Sequence, residues 1–405
     1  MKIKAFYIRA DGADPRQLDE YNQNFAAEIS AAAGLELELS TEVESLRESA
    51  EELGFHFIFI GSGGSEMQFS KHADLLSKPV LLITTQANNS LPASMEILTF
   101  LHDRNQQGEI LHGEPEQVAL ALREEVHLAA TKQRLKGMRI GNTGRSDWLI
   151  ASGVDPELLK ERSGLVYVDV PMSEIMAEIE RDEYPQNAWT EELKRQNWPE
   201  EQMERALQVY GGVKRVAERY NLKGISLRCF DLLAPYKISG CLALAILNAE
   251  GFWAACEGDA KSLVSMTVIG EITGQPVFMA NPSRLDFQRN HAVLAHCVLP
   301  LNMPEKYSLA THFESGLGVS VAGEFNPGPI TLFKMKGDFV NYHVQEGELL
   351  RNLHEGCLCR TQLELHLPDG LDYFVKRPIA NHQMLVLGHH ADKVRRFFAQ
   401  YREED

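Results

Sequence analysis

The stretch from Phe252 to His296 alternates short apolar runs with a single helical run, and polar side chains follow directly where the apolar runs end. Three apolar runs, 252–256, 277–280 and 292–295, are strand-like, and an amphipathic helical run extends from 260 to 272. Glu257, Asn281 and His296 stand at or just beyond the strand ends. Because ligands of α/β sheets bind beyond the carboxyl ends of strands, this stretch predicts a functional site.

Composition places the chain among soluble globular proteins. It has 405 residues, 44% of them apolar and 24% charged, and its net charge is 40 − 57 = −17. This length predicts two or three domains, and the acidic balance argues against nucleic acid or an acidic membrane as partner. No apolar run approaches the roughly 20 residues that span a bilayer. Six cysteines form no disulfide framework and the N-terminus lacks signal-peptide features, so we expect a cytoplasmic protein with reduced thiols.

The periodicity along the chain predicts three domains. Residues 1–135 and 136–274 alternate apolar strands with helices, which is typical of doubly wound α/β domains. Residues 275–405 contain short strands separated by Gly and Pro turns, which predicts an antiparallel sandwich or barrel before a closing helix and a charged tail. Four local features are also expected: a helix around 147–151, Ser173 as an N-cap, Asp259 as an N-cap, and a turn at 281–283.

Carboxylates and histidines are the candidate metal ligands. Nine of the 14 histidines follow residue 290, and oxygen and imidazole ligands together suit Mn²⁺, Zn²⁺ or Fe²⁺. The alternative is that most of these histidines are surface or hydrogen-bonded residues, because no short metal motif such as HExxH is present. Of the acid pair at the strand-to-helix turn, we interpret Glu257 as functional and Asp259 as the helix cap.

Two further features allow a functional and a structural interpretation. The turn Gly61-Ser62-Gly63-Gly64 could bind phosphate, which would favour a nucleotide-dependent enzyme, but a tight strand-to-helix turn needs glycine in any case. Trp148, Trp253 and Phe252 could stack on a sugar ring, although aromatic residues beside strands more often belong to the core.

An ordered series of motifs resembles the L-fucose isomerase family. The series comprises Cys256-Glu257-Gly258-Asp259-Ala260, Thr273-Gly274-Gln275-Pro276, Phe278-Met279-Ala280-Asn281, His296-Cys297, Gly328-Pro329-Ile330-Thr331-Leu332, Cys359-Arg360-Thr361-Gln362 and Ala380-Asn381-His382. The resemblance implies two α/β domains followed by a β-rich domain. It also implies an aldose–ketose isomerase of trimeric or hexameric assembly, which uses a divalent cation, usually Mn²⁺, and moves a proton between neighbouring sugar carbons through an ene-diol.

The same resemblance suggests roles for individual residues. Glu257 corresponds to a metal ligand and base, and His382 to a metal ligand. Asn281 stands where the family has Asp; its amide oxygen could bind a metal, but it cannot take a proton. Asp286 would replace the missing acid if the loop after Pro282 folds back, and His296 would assist Glu257. We therefore predict an isomerase of a deoxy-sugar or pentose or, alternatively, a degenerate relative that binds a carbohydrate without converting it.

Overall fold

The computed structural model describes residues 1–10 and 15–401, so the predicted charged tail, 402–405, lies outside the described part. The chain divides into two compact units, the first comprising Met1–Thr131 and the second beginning at Lys132. No helix within the described ranges is both long enough and apolar enough to cross a membrane.

The first unit is a parallel sheet with helices on both faces. Its strands are β1 (Lys2–Ile8), β2 (Glu36–Ser40), β3 (His56–Ile60), β4 (Val80–Thr84) and β5 (Gly108–Leu111). Its helices are α1 (Pro15–Ala33), α2 (Ser45–Leu53), α3 (Glu66–Ser70), α4 (Ser90–Asp103) and α5 (Pro115–Leu135), the last of which runs on into the second unit, with a 3₁₀ turn at Ala73–Leu75.

The strands of the first unit are parallel and ordered β2-β1-β3-β4-β5. Every residue of β3 and β4 is buried. Phe57 and Phe59 belong to one apolar core, whereas Ile58 and Ile60 belong to a second core. Because successive side chains of a strand point to opposite faces, the continuous apolar runs of β3 and β4 arise from a sheet that is covered on both sides.

The second unit begins with another parallel sheet. Its strands are β6 (Arg139–Asn142), β7 (Val166–Asp169), β8 (Gly224–Leu227) and β9 (Trp253–Cys256), ordered β7-β6-β8-β9. Its helices are α6 (Pro156–Ser163), α7 (Met172–Ile179), α8 (Ala188–Lys194), α9 (Glu200–Arg219), α10 (Leu233–Tyr236), α11 (Cys241–Ala249) and α12 (Ala260–Thr273), with a 3₁₀ turn at Cys229–Leu232.

An antiparallel barrel follows in the same unit. The remaining strands of the second unit are β10 (Phe278–Asp286), β11 (His291–His296), β12 (Lys306–Ala310), β13 (Ser320–Glu324), β14 (Gly328–Met335), β15 (Tyr342–Asn352), β16 (Thr361–His366) and β17 (Gln383–Leu387), and its remaining helices are α13 (Asp372–Lys376) and α14 (Ala391–Ala399). The barrel closes in the order β10-β11-β16-β15-β14-β17, and β12 pairs with β13 separately. The predicted fold class is therefore confirmed, while the three-domain division stays a prediction.

Helix α12 joins the two parts of the second unit. It packs against β8 and β9 of the parallel sheet and against β14 and β17 of the barrel. Nearly all its residues are buried, so the prediction of an amphipathic helix is wrong: α12 is covered on all sides. Asp259 caps this helix by accepting a hydrogen bond from the amide of Ser262, as predicted.

Two other local predictions are wrong for identifiable reasons. The turn expected at 281–283 is absent from β10, which continues to Asp286 because Asn281 and Pro282 pair with β11 and an irregularity in register accommodates the proline. Ser173 lies inside α7, whose N-cap is Pro171.

Candidate metal centre

Glu257 follows the carboxyl end of β9 in a backbone conformation that is unusual for its residue type. Its φ is +64°, in the left-handed region, and Gly258 follows at +69°. For a residue with a Cβ this conformation costs about 1–2 kcal/mol, and such residues cluster at functional sites. The amide and hydroxyl of Ser146 both donate to the Glu257 carbonyl, at 3.3 and 2.7 Å, and thus hold the turn.

Three side chains converge at this turn. One ligand atom from each of Glu257, His296 and His382 lies within 4.8 Å of the others. Glu257 Oε1 is 3.6 Å from His296 Nε2 and 3.5 Å from His382 Nε2. His296 ends β11 and His382 directly precedes β17, so the barrel brings both imidazoles to the end of the parallel sheet. One carboxylate and two imidazoles form a set that could hold a divalent cation.

His382 is oriented as a metal-binding histidine would be. Its Nδ1 lies 2.9 Å from Asp259 Oδ2, whereas its Nε2 is buried without a hydrogen-bond partner among the described residues. A carboxylate on one ring nitrogen fixes the tautomer and leaves the other nitrogen available to a metal. The residues present therefore fit a cation bound to Nε2. The observation that supports this is the buried Nε2 atom, which has no hydrogen-bond partner among the described residues.

Asp259 is a fully buried acid that contacts two cationic groups. Lys334 Nζ donates to Ser262 Oγ at 2.7 Å and lies 3.9 Å from Asp259 Oδ2. Burial alone would raise the pKa of Asp259, but the charge of Lys334 and the hydrogen bond from His382 hold it below its usual range. Burial lowers the pKa of Lys334 to about 8, against the attraction of Asp259. Asp259 is therefore an anion that orients His382 as well as a helix cap.

The carboxylate of Glu257 is stabilised in the same way. Burial opposes its ionisation, but the neighbouring imidazoles of His296 and His382 outweigh burial and keep the pKa of Glu257 well below its ordinary value. Complete burial alone would lower the pKa of His382, but the hydrogen bond with Asp259 and the nearby Glu257 carboxylate outweigh it and raise the pKa to about 9. The site therefore favours a positive charge at its centre, either a proton on His382 or a cation.

His296 differs from His382 in its second hydrogen bond. The backbone amide of Val298 donates to His296 Nδ1 at 3.3 Å. In a neutral ring this contact places the proton on Nε2, which faces Glu257 Oε1. His296 is thus arranged as a proton donor towards the centre, and binding a cation through Nε2 would require this amide contact to be given up.

The other predicted site residues, Asn281 and Asp286, both belong to β10. Asn281 pairs with Ala295, and its Oδ1 accepts a hydrogen bond from Asn381 Nδ2 at 3.0 Å. Asp286 is five residues further along an extended strand, about 16 Å away, and it accepts the amides of Gln288 and Arg289 at the hairpin turn. Because β10 continues instead of folding back after Pro282, the structure does not bring Asp286 to the three ligands.

Three features of this region were not predicted from the sequence. Trp148 Nε1 donates to Glu257 Oε2 at 2.9 Å, Lys334 stands inside the apolar strand β14, and Asp259 binds His382. The prediction of a helix around 147–151 is wrong. This segment forms turns, and Ser146 just before it donates a hydrogen bond to the Glu257 carbonyl. Of these three features, Lys334 had a usable signal in the sequence, since a lysine within a mainly apolar strand occupies a core position.

The turn after β3 requires glycine for steric reasons that are independent of any ligand. A Cβ on Gly61 would lie 2.6 Å from the Tyr7 ring, and Gly64 has φ +82°. These constraints support the interpretation as a tight turn, while nucleotide binding stays a prediction.

Comparison with known proteins found two similar proteins that carry the name sulfoquinovose isomerase. The protein of Alkalicoccus urumqiensis is 22% identical over 268 residues, which cover 61% of this chain and 59% of the relative. That of Clostridium sp. (strain MSTE9) is 28% identical over 103 residues, 25% of this chain and 23% of the relative. The chain thus matches at most about three fifths of these relatives' length. No family model matches it. A distant likeness to a sugar isomerase is shown, and the narrower resemblance to L-fucose isomerases stays a prediction.

Proposed function

We propose that the protein is a divalent-cation-dependent aldose–ketose isomerase of a small sugar, such as a deoxy-sugar or a pentose. The observation that carries the proposal is the convergence of Glu257, His296 and His382, together with the buried Nε2 of His382, which has no hydrogen-bond partner in the part of the chain that the structure describes. The distant likeness to sulfoquinovose isomerases supports the same class of reaction.

Each residue has a role in this proposal. Glu257 and His382 would hold the cation, with Mn²⁺ as the first candidate, and Asp259 keeps His382 in its binding tautomer. When bound, the cation supplies Lewis acidity that favours negative charge on the sugar oxygens. The Glu257 carboxylate, ionised at neutral pH, takes the proton from one carbon and returns it to the next. His296 Nε2–H donates to a sugar oxygen on which negative charge develops.

The proposal is tested with the full chain after metal removal. Calorimetry with Mn²⁺, Zn²⁺ and Mg²⁺ measures cation binding, and a panel containing L-fucose, L-arabinose and sulfoquinovose is assayed for ketose product. We expect cation binding and cation-dependent turnover of at least one sugar. Glu257→Gln should lower turnover by about a thousandfold, because it removes the proposed base. A protein that binds no cation and forms no ketose would contradict the proposal.

A second candidate function is carbohydrate binding without turnover, which Asn281 favours because an amide cannot transfer a proton. The variant Asn281→Asp separates the two functions. If the protein only binds, wild type should be thermally stabilised by a sugar without forming product, and the new acid should increase cation affinity. The matched control is Asn302→Asp, an exposed asparagine whose change should have no effect. Turnover by wild type would rule out this candidate.

We also infer, from the resemblance alone, a trimer or hexamer. Light scattering of the purified chain would measure its mass directly.

A further inference from the structure

The two oxygens of the Glu257 carboxylate have different neighbours. Oε1 faces both imidazole Nε2 atoms, at 3.5 and 3.6 Å, whereas Oε2 accepts the indole N–H of Trp148 at 2.9 Å. The indole therefore fixes the rotation of the carboxylate. Oε1 is turned towards His296 and His382, which together with Glu257 we call the ligand cluster, and Oε2 is turned away from them. Because a hydrogen bond to a charged group is about twice as strong as a neutral one, this contact determines where the proposed base points.

Trp148 is held in place by the loop that carries it. We call residues 143–152 the Trp148 loop. Ser146 in this loop donates hydrogen bonds to the Glu257 carbonyl. The amide of Lys261 donates to the Ser152 carbonyl at 3.0 Å, and Lys261 Nζ donates to the Ala151 carbonyl at 2.5 Å. The loop is thus attached at several points to the turn and helix start that bear Glu257 and Asp259, which explains how an exposed residue can keep a fixed orientation.

The indole ring also presents an apolar surface beside the cluster. Trp148 is 54% exposed, although tryptophan is usually largely buried. Its ring packs edge to face on Phe230, with centroids 5.0 Å apart, and Phe230 packs in the same way on His312 at 5.3 Å. These three rings form a continuous aromatic wall that begins at the Glu257 carboxylate. Ligand sites combine such apolar walls with a few polar groups that fix orientation.

We propose that Trp148 is a positioning and specificity residue for a monosaccharide. Its N–H holds Glu257 Oε2, and its exposed ring receives the C–H face of the sugar whose hydroxyls lie towards the ligand cluster. This inference rests on the proposed function and adds the sugar-binding wall to it. Trp253, also considered from the sequence, is excluded from this role because it is partly buried and its indole donates to Glu271 at 3.2 Å.

Two substitutions separate the two roles of Trp148. Trp148→Phe keeps an aromatic ring but loses the N–H, so kcat should fall by about tenfold to a hundredfold, the usual cost of a hydrogen bond to a charged group, with KM changed less than threefold. Trp148→Gln keeps an N–H donor but loses the ring, so KM should rise by about tenfold with a smaller change in kcat. Trp198→Phe is the control, because it removes an indole hydrogen bond to Gln202 at the surface.

A binding measurement accompanies the kinetics. The chain has four tryptophans, and the difference in emission between wild type and Trp148→Phe isolates Trp148. Adding a converted sugar with Mn²⁺ should shift this difference spectrum, whereas the emission of Trp148→Phe should change little. The oligomeric mass of each variant is measured as well, since a wall that served as a subunit contact would change mass instead of KM.

The outcomes distinguish this inference from the function on which it rests. If wild type forms ketose but both Trp148 variants keep kcat and KM within twofold, the inference is overturned and the isomerase stands. A change in oligomeric mass with unaltered sugar affinity also overturns it. If wild type binds no cation and converts no sugar, the proposed function fails, and the sugar-binding role of Trp148 fails with it.

Discussion

Asp259 Oδ2 lies 2.9 Å from His382 Nδ1, and this contact joins the start of α12 to the residue preceding β17. The two residues are 123 positions apart, so the contact exists only when the barrel is in place beside α12. It leaves Nε2 of His382 as the atom that faces Glu257.

Replacing Asp259 by Asn should weaken cation binding by about tenfold to a hundredfold, because the amide no longer fixes the charge and tautomer of His382. Calorimetry with Mn²⁺ measures the change. The matched control is Asp155→Asn, since Asp155 caps α6 through the amides of Glu157 and Leu158 and is not a predicted ligand. Equal cation affinity in wild type and Asp259→Asn would refute the orienting role.

The two histidines should contribute unequally to cation affinity. His382→Ala removes an imidazole whose Nε2 forms no hydrogen bond with any described residue, whereas His296→Ala removes one whose Nδ1 accepts the Val298 amide. We expect the loss of Mn²⁺ affinity to be at least tenfold greater for His382→Ala, with turnover reduced in both. His102→Ala, at an exposed position of α4, is the control. Similar losses for the two histidines would mean that His296 is a full ligand.

The turn at Glu257 can be examined with a pair of glycine substitutions. Gly258 and Gly274 have φ of +69° and +67°, but a Cβ on Gly258 would lie 1.9 Å from the Gly144 carbonyl oxygen, whereas nothing lies within 4 Å of one on Gly274. Gly274→Ala should therefore cost only the conformational term, about 1–2 kcal/mol of the free energy of unfolding. Gly258→Ala should cost about 3 kcal/mol or more because the backbone must also move. Urea unfolding measures both, and equal losses would show that the Trp148 loop does not press on this turn.

His56 predicts an acid-sensitive first unit. Its Nδ1 lies 2.8 Å from the Leu46 carbonyl oxygen, and its Nε2 accepts the amides of Ser77 and Lys78, at 3.0 and 3.2 Å. Burial holds the pKa of His56 below its usual value, against the Leu46 hydrogen bond and with a further contribution from Lys78. The folded state therefore keeps His56 neutral while the unfolded chain takes up a proton near pH 6.5.

It follows that the contribution of His56 to stability is complete above about pH 6.5 and decreases as the pH falls below that value. The melting temperature of the first unit should fall more between pH 7.5 and 5.5 in wild type than in His56→Asn, which cannot be protonated. Parallel pH dependences would contradict this assignment.

Features that depend on neighbouring residues could be predicted from the sequence, whereas features that depend on residues far apart in the sequence could not. The apolar runs of β3 and β4 and the capping role of Asp259 follow from neighbouring residues, and the structure has both. Pro282 was misleading, because proline usually marks a turn but is also tolerated where strand register is irregular. The continuation of β10 then carries Asp286 away from the site.

The candidate site also depends on contacts between residues that are far apart in the sequence. Glu257 and His382 were predicted as partners only through a resemblance, since no periodicity connects residues 125 positions apart. The hydrogen bond from Trp148 and the burial of Lys334 depend on how the barrel, α12 and the Trp148 loop pack. Such contacts produce no recognisable pattern in a single sequence, whereas the alternation of apolar strands and helices predicts the fold class.

The three converging side chains come from two sheets, because Glu257 follows a strand of the parallel sheet whereas His296 and His382 belong to barrel strands or their ends. Neither part of the second unit alone supplies both of the proposed ligands, Glu257 and His382. A bound ion would consequently cross-link the two halves of the second unit. The cation would then bind only when the barrel packs against the parallel sheet. Folding of the second unit and formation of the metal site would therefore occur together.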